Sequence, residues 1–142
     1  MRRSIVALAV VAVAGIFATA ASTQTFETSK SPTGPAFSWR YFSTPLENDP
    51  SRVVRMQQQL QLPGRPGDPF HTHNGDQWEV VLEGEITFTV KGQPPRVLKA
   101  GDFVYIPRGT IHRNENKSNQ PARTMELLII DKDKPQRNLV GN

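Results

Sequence analysis

Three histidines are the residues of this chain whose type and spacing point to chemistry. His71 and His73 are separated by one residue, and His112 follows in a later segment. Neutral imidazole is the commonest metal-ligating group in proteins. Two residues that are two positions apart on a strand also point to the same face. Three imidazoles converging inside a small domain are costly without a cation, so the pattern predicts a metal site with open positions for water or substrate.

Two polar residues that follow the histidine pair extend this candidate site. Gln77 and Glu79 also alternate, so on a strand they share one face. The intervening Asn74-Gly75-Asp76 is typical of a turn that reverses the chain and returns this face to the histidines. His112 follows Pro107 and Gly109, whose spacing predicts a tight turn, so His112 is expected to come from a loop.

The elements that must position these residues are predicted to be short strands. Val54, Met56, Leu60 and Leu62 alternate with arginine and glutamines, which is the period-two pattern of a strand with one buried face. Met56, Met125 and Leu127 are therefore assigned to the core. Loops are expected at 44–50 and 63–69, and further strands at 37–42, 71–73, 78–82, 86–90, 96–99, 103–106 and 125–130.

Many short strands separated by turns, without a helical stretch, indicate an all-β sandwich or barrel. No internal repeat is present, so one domain is expected over residues 37–130. Residues 21–36 are rich in Ser, Thr and Pro and predict a flexible N-terminal segment. The charged residues 131–142 predict a loose C-terminal tail.

The first twenty residues predict a signal peptide. Arg2 and Arg3 give a positive start, an apolar run follows from Ile5 to Phe17, and Ala18-Thr19-Ala20 supplies a small-residue cleavage site. The apolar run is too short for a membrane span. The mature protein is therefore expected to be periplasmic or secreted, without a stable membrane anchor. The paired arginines leave the export route open between the general and twin-arginine pathways.

Composition narrows the classes of partner. Without residues 1–20, the chain keeps fifteen basic and thirteen acidic residues, and no basic block is interleaved with aromatics. The sequence therefore gives no indication of nucleic-acid binding. Cysteine is absent, so an exported protein must be stabilised by its core, a metal ion or association with another subunit.

Two segments of the chain resemble the two motifs of the cupin family. The second motif is matched throughout, by Gly101, Pro107, Gly109, His112 and Asn116. The first is matched by His71, His73 and Gly84, with Gln77 in a further motif position and with the glycine before the first histidine, Gly64, one residue too far away. The resemblance implies a small β-barrel or double-sheet jelly roll, a small-molecule substrate and a homodimer. It also implies one divalent transition metal ion, which can be iron, manganese, nickel, zinc or copper.

The chain departs from the first cupin motif at Gln77, where the family usually has a glutamate ligand. In the favoured interpretation Gln77 coordinates through its side-chain oxygen, so that all four protein ligands are neutral. The ion then keeps its full charge and attracts anionic substrates, and Glu79 is the catalytic acid or base. In the alternative, a β-bulge allows Glu79 itself to reach the metal.

Three functions are compatible with this site. The first is an exported metal-dependent oxidoreductase of the dioxygenase type. The second is a non-catalytic binding module, which Gln77 favours because loss of a carboxylate weakens metal affinity. The third is a lyase or isomerase that uses the metal as a Lewis acid. Arg108 and Arg113 are candidates for binding a substrate carboxylate, whereas Asn116 is expected to stabilise a turn.

Overall fold

A computed structural model of the chain describes residues 29–31, 36–64 and 66–141. The predicted signal peptide lies outside these ranges. Within them, no helix has the length and apolar character that crossing a membrane requires. The described residues form eleven strands: Ser29–Ser31 (β1), Ala36–Leu46 (β2), Asp49–Gln61 (β3), His71–Thr72 (β4), Gly75–Glu83 (β5), Glu85–Val90 (β6), Arg96–Lys99 (β7), Phe103–Ile106 (β8), His112–Glu115 (β9), Ala122–Asp131 (β10) and Asn138–Leu139 (β11).

The strands form two antiparallel sheets. The larger sheet has the order β1-β2-β3-β10-β5-β8, and the smaller has the order β11-β4-β9-β6-β7. Strand β10 lies between β3 and β5, and alternate residues along its whole length are buried. The predicted all-β fold, a double-sheet jelly roll, is confirmed.

The interior contains a polar band between two apolar clusters. One cluster contains Val53, Leu128 and Ile130. The other lies further along the barrel and contains Val81, Ile86, Phe88, Leu98, Val104, Ile106 and Ala122. On β10 the buried positions between the clusters are Thr124 and Glu126. On the inner face of β10, polar side chains therefore lie between the two apolar clusters.

Strand β3 was predicted correctly, but the assignment of its apolar residues to the core was wrong. Gln57, Gln59 and Gln61 are buried on the inner face, whereas Val54 and Met56 are half-buried on the outer face. The reason is that the interior is polar here: Gln57 Nε2 donates to the buried carboxylate of Glu126 over 2.6 Å. Met125 and Leu127, also predicted in the core, are likewise half-buried on the outer side of β10.

Two predicted connections are also different in the structure. Residues 44–50, expected to be a loop, belong mostly to β2 and β3, which are joined by a turn at Glu47 and Asn48. The chain does not form a hairpin at Asn74-Gly75-Asp76, because β4 belongs to the smaller sheet and β5 to the larger. Gly75 makes this crossing possible, since a Cβ there would overlap the carbonyl oxygen of Ile129.

Both ends of the described chain are more structured than predicted. Ser29–Ser31, inside the predicted flexible segment 21–36, pairs with β2. The C-terminal segment is not a loose tail, because β11 pairs with β4 and the amide of Val140 donates to the carbonyl of Phe70. This pairing places the C-terminal segment beside the first two histidines.

Candidate metal centre

The structure brings the three histidines together. His71 lies on β4, opposite His112 at the start of β9, and His73 follows directly after β4. The ring centroids are 4.5, 4.9 and 5.2 Å apart. One ring nitrogen from each lies within 4.8 Å of the others, and all three side chains are buried. His112 was expected in a loop, but it begins a strand, which fixes its position more firmly.

A backbone carbonyl fixes the tautomer of each ring. Nδ1 of His71 donates to the carbonyl of Pro69 over 2.8 Å, that of His73 to Gln136 over 2.6 Å, and that of His112 to Thr110 over 2.9 Å. Each Nε2 is therefore left with a free lone pair. Nε2 of His73 and of His112 is buried without a hydrogen-bond partner among the described residues. This is the arrangement that metal-ligating histidines adopt.

The charge state of the rings also suits a metal. Burial lowers the pKa of His71 and His73 to about 4 and lowers that of His112, against the opposing effect of their bonds to backbone carbonyls. The three imidazoles are therefore neutral at pH 7, as coordination requires. The histidine cluster can hold a metal ion.

Gln77 lies on the inner face of β5, as predicted. It is buried, and its Oε1 has no hydrogen-bond partner among the described residues. An unpaired buried oxygen of this kind is costly unless a cation or another group satisfies it. The pairing of β5 with β8 and β10 is regular from Gln77 to Val80, and the register shift lies at Arg123 and Thr124. This region of β5 therefore has no bulge that would carry Glu79 towards the histidines.

Glu79 is buried on the same face and is held by β9. Both of its carboxylate oxygens accept a hydrogen bond from Nδ2 of Asn114 at 2.9 Å, and Asn114 lies two residues after His112. Directly opposite Glu79 on β10 is Glu126. Burial raises the pKa of both carboxyl groups, and the charge of Glu79 raises that of Glu126 further. The pair can therefore hold a proton near neutral pH.

The interpretation of the sequence missed Glu126, Asn114 and Gln57. The sequence did indicate Glu126, because an isolated acid within the apolar run of β10 is expected to have a specific role. Asn114 shares the inward face of β9 with His112, but this strand was not predicted. Gln57 was assigned to the solvent side of β3.

Arg108 and Arg113, the candidates for binding a substrate carboxylate, have other partners in the structure. Arg108 forms an ion pair with Asp131, and the guanidinium of Arg113 lies over the ring of Phe70 and contacts Glu115. Asn116 stabilises a turn, as expected: its Nδ2 donates to the carbonyl oxygens of residues 61 and 120, and its Oδ1 accepts from the amide of residue 118. An ion pair that was not predicted, Arg137 with Asp68, lies close enough to influence all three histidines.

Comparison with known proteins identifies the family. The cupin domain profile matches residues 59–130, which include the histidines and most of the strands around them. The chain belongs to the cupin family. The fold resembles that of an RmlC-like cupin from Shewanella frigidimarina, with a TM-score of 0.60 and 18% identity over 80% of this chain and 95% of that one.

Two relatives have named activities. Dimethylsulfoniopropionate lyase DddQ of Ruegeria pomeroyi is 43% identical over 44 residues, which are 31% of this chain and 22% of the lyase. Its crystal structure has a TM-score of 0.57 and 26% identity over 71% of this chain and 50% of that one. Gentisate 1,2-dioxygenase of a Ralstonia species is 26% identical over 80 residues, or 56% of this chain and 22% of that enzyme. The chain thus spans half or less of the length of these two relatives.

Proposed function

We propose that the protein binds one divalent transition metal ion through His71, His73 and His112, with Oε1 of Gln77 as the fourth protein ligand. The carrying observation is that all three rings donate from Nδ1 to backbone carbonyls, which leaves Nε2 free. The buried, unpaired Oε1 of Gln77 supports the fourth position. Bound there, a divalent ion supplies Lewis acidity and, for iron, manganese or copper, redox chemistry.

The activity best supported by the site is proton abstraction from a small organic carboxylate, as in a lyase or isomerase. Glu79 is the proposed general base, because its carboxyl is buried and has a raised pKa. Asn114 orients that carboxyl, and Glu126 beside it can share the proton. Burial and a pKa near the working pH are the properties of an efficient general base. The similarity to a dimethylsulfoniopropionate lyase supports this class.

The oxidoreductase expected from the sequence is the second candidate. Its support is the similarity to a gentisate dioxygenase over 80 residues. Both relatives act on small carboxylates, which agrees with the expectation of an anionic substrate. The buried carboxyl pair favours the first candidate, because proton storage is central to a lyase or isomerase.

Elemental analysis followed by anaerobic assays tests the proposal. The protein, purified without added metal, should contain about one transition metal ion per chain. Turnover of dimethylsulfoniopropionate or a related carboxylate under strict anaerobiosis supports the lyase class, whereas oxygen uptake with gentisate supports the dioxygenase class.

Glu79→Gln should keep the metal and lose about 10²-fold or more in kcat. A metal-loaded protein that turns over no carboxylate would favour a binding module.

We also propose that the protein forms a homodimer and that it is exported from the cytoplasm. Phe103 and Tyr105 are exposed on β8, and Trp78 of β5 stacks on Tyr105 with the ring centroids 5.3 Å apart. This apolar surface, the outer face of the larger sheet, suits a two-fold contact with a second copy. Export is tested by determining the N-terminal residue of the protein isolated from its native cell.

A further inference from the structure

One ion pair beside the candidate metal centre has no role in the proposed chemistry. Nη1 and Nη2 of Arg137 donate to the two carboxylate oxygens of Asp68 over 3.0 and 3.1 Å. The amide of Asp68 donates to the carbonyl of Asn114 on β9. Arg137 directly follows Gln136, whose carbonyl orients His73. The pair is therefore fixed to two segments of the chain that also hold the site.

The charge of Arg137 reaches the interior of the barrel. Burial has the largest effect on the pKa of the three histidines, of Glu79 and of Glu126, and the charge of Arg137 lowers the pKa of all five. The histidines lie on or next to strands of the smaller sheet, whereas Glu79 and Glu126 lie on the larger. Packed sheets are about 10 Å apart, and charges are largely screened beyond about that distance. A guanidinium that influences groups on both sheets therefore lies towards the space between them.

The side chain of Arg137 is also accessible to solvent. It is 32% exposed, against 15% for Asp68, although the groups that its charge influences are almost completely buried. Strand β11, which begins at the next residue, is the edge strand of the smaller sheet. Arg137 thus lies at the rim of the barrel, where a molecule from solvent can reach its guanidinium.

Asp68 leaves part of this guanidinium unused. An arginine has five N–H donors, and Asp68 accepts one hydrogen bond from each of Nη1 and Nη2. Within the described part of the chain, the side chain of Arg137 donates no other hydrogen bond. A second carboxylate can therefore accept from Nε and the remaining N–H groups while Asp68 stays in place.

We propose that Arg137 recognises the acidic group of the substrate at the rim of the barrel, with Asp68 holding the guanidinium in position. The planar guanidinium presents parallel donors that match the two oxygens of a carboxylate. This inference rests on the proposed function for the class of substrate. It adds the residue that determines specificity for an acidic group and distinguishes it from Glu79, which handles the proton.

The two members of the ion pair should have opposite effects on a bound anion. Besides the larger effect of burial, the negative charge of Asp68 raises the pKa of Glu79 and Glu126, so it also acts inside the barrel. Removing the charge of Arg137 should weaken anion binding, whereas removing the charge of Asp68 should strengthen it. An ion pair that only stabilised the fold would give effects of the same sign, because either substitution breaks the same contact.

Calorimetric titration of the zinc-loaded protein tests the subsite, since zinc has no redox chemistry and leaves the probes intact. The probes are gentisate and isocaproate, a carbon analogue of dimethylsulfoniopropionate that cannot eliminate, and each is compared with its uncharged amide. The wild type should bind each carboxylate at least about 10-fold more tightly than its amide. Arg137→Gln should weaken the carboxylates by about 10-fold and leave the amides unchanged, and Arg137→Lys should have an intermediate effect. Asp68→Asn should tighten the carboxylates by about 3-fold.

Arg96→Gln, at an exposed position of β7, is the control and should bind all probes as the wild type does. Zinc content and thermal melting are measured for every variant, and Arg137→Lys replaces Arg137→Gln if the latter does not fold. The subsite is overturned if the wild type does not prefer the carboxylates, or if substitutions of Arg137 and Asp68 do not change carboxylate affinity in opposite directions. Failure of the wild type to retain zinc would instead contradict the proposed function, whatever the variants bind.

Discussion

At the scale of single residues, the candidate metal centre is defined by hydrogen bonds on the far side of each histidine ring. The acceptors are the carbonyl oxygens of Pro69, Thr110 and Gln136, and two of these lie two residues before the histidine that they orient. The third comes from the C-terminal segment. Because backbone carbonyls only accept, they hold the protons on Nδ1 and direct every Nε2 lone pair towards the shared site.

The fourth ligand position can be tested by Gln77→Glu. If Oε1 of Gln77 coordinates, the substitution adds a charged oxygen to a neutral ligand set, and metal affinity should increase by about 10-fold or more. Competition with a chelator of known affinity measures the change. Gln120→Glu, at an exposed position, is the control. Unchanged affinity in Gln77→Glu would exclude position 77 from the coordination of the metal.

The buried carboxyl pair should make stability depend on pH. The pKa of Glu126 is raised above its ordinary value of 4.5, so the folded protein holds a proton that the unfolded chain releases. Stability should therefore fall as pH rises from 4.5 towards the raised value, by up to about 1.4 kcal/mol per pH unit. Glu126→Gln removes this contribution, since an amide mimics the protonated carboxyl.

In the presence of a chelator, Glu126→Gln should therefore melt at a higher temperature than the wild type at pH 7.5. The two melting temperatures should converge as the pH approaches 4.5. Glu47→Gln, in the exposed turn between β2 and β3, should follow the wild type throughout. A variant at position 126 with the pH slope of the wild type would show that Glu126 ionises normally.

At the scale of elements, the C-terminal segment and β10 bring residues from the end of the chain to the site. The C-terminal segment supplies the carbonyl that orients His73 and the guanidinium that pairs with Asp68. Strand β10 places Glu126 opposite Glu79. The metal centre thus depends on pairings between strands that are far apart in the sequence.

Deleting residues 136–142 should lower metal affinity by about 10–100-fold, because His73 loses the acceptor that fixes its tautomer. Deleting residues 141–142 alone should have little effect, since it leaves the bond from Val140 to Phe70 and the pairing of β11. Chelator competition measures affinity, and circular dichroism establishes that both variants are folded. Equal affinities would mean that the segment does not support the site.

At the scale of the whole molecule, the outer face of the larger sheet should form a homodimer. Light scattering should give twice the mass of one chain, and Phe103→Glu should give the mass of a single chain, because it places a charge at the apolar contact. Val97→Glu is the matched control, since Val97 is 54% exposed on the smaller sheet and Phe103 is 58% exposed on the larger. A monomeric wild type would contradict this assignment.

The sequence by itself determined the fold class, the histidine cluster and the side of β5 on which Gln77 and Glu79 lie. These are local properties, because alternation along a strand and the spacing of motif residues are carried by neighbouring positions. Period two also identified β3 as a strand. It did not identify the inward face, because this depends on what lies across the sheet, and Glu126 lies opposite Gln57 there.

The tertiary structure decided which distant segments meet at the site. The opposition of Glu79 and Glu126 and the hydrogen bond of His73 to the carbonyl of Gln136 both depend on strand register. Register is set by packing and pairing across the entire barrel, and a change of one residue would turn each inward side chain outward. No short stretch of sequence contains that information, so the surroundings of the metal centre emerged from the fold.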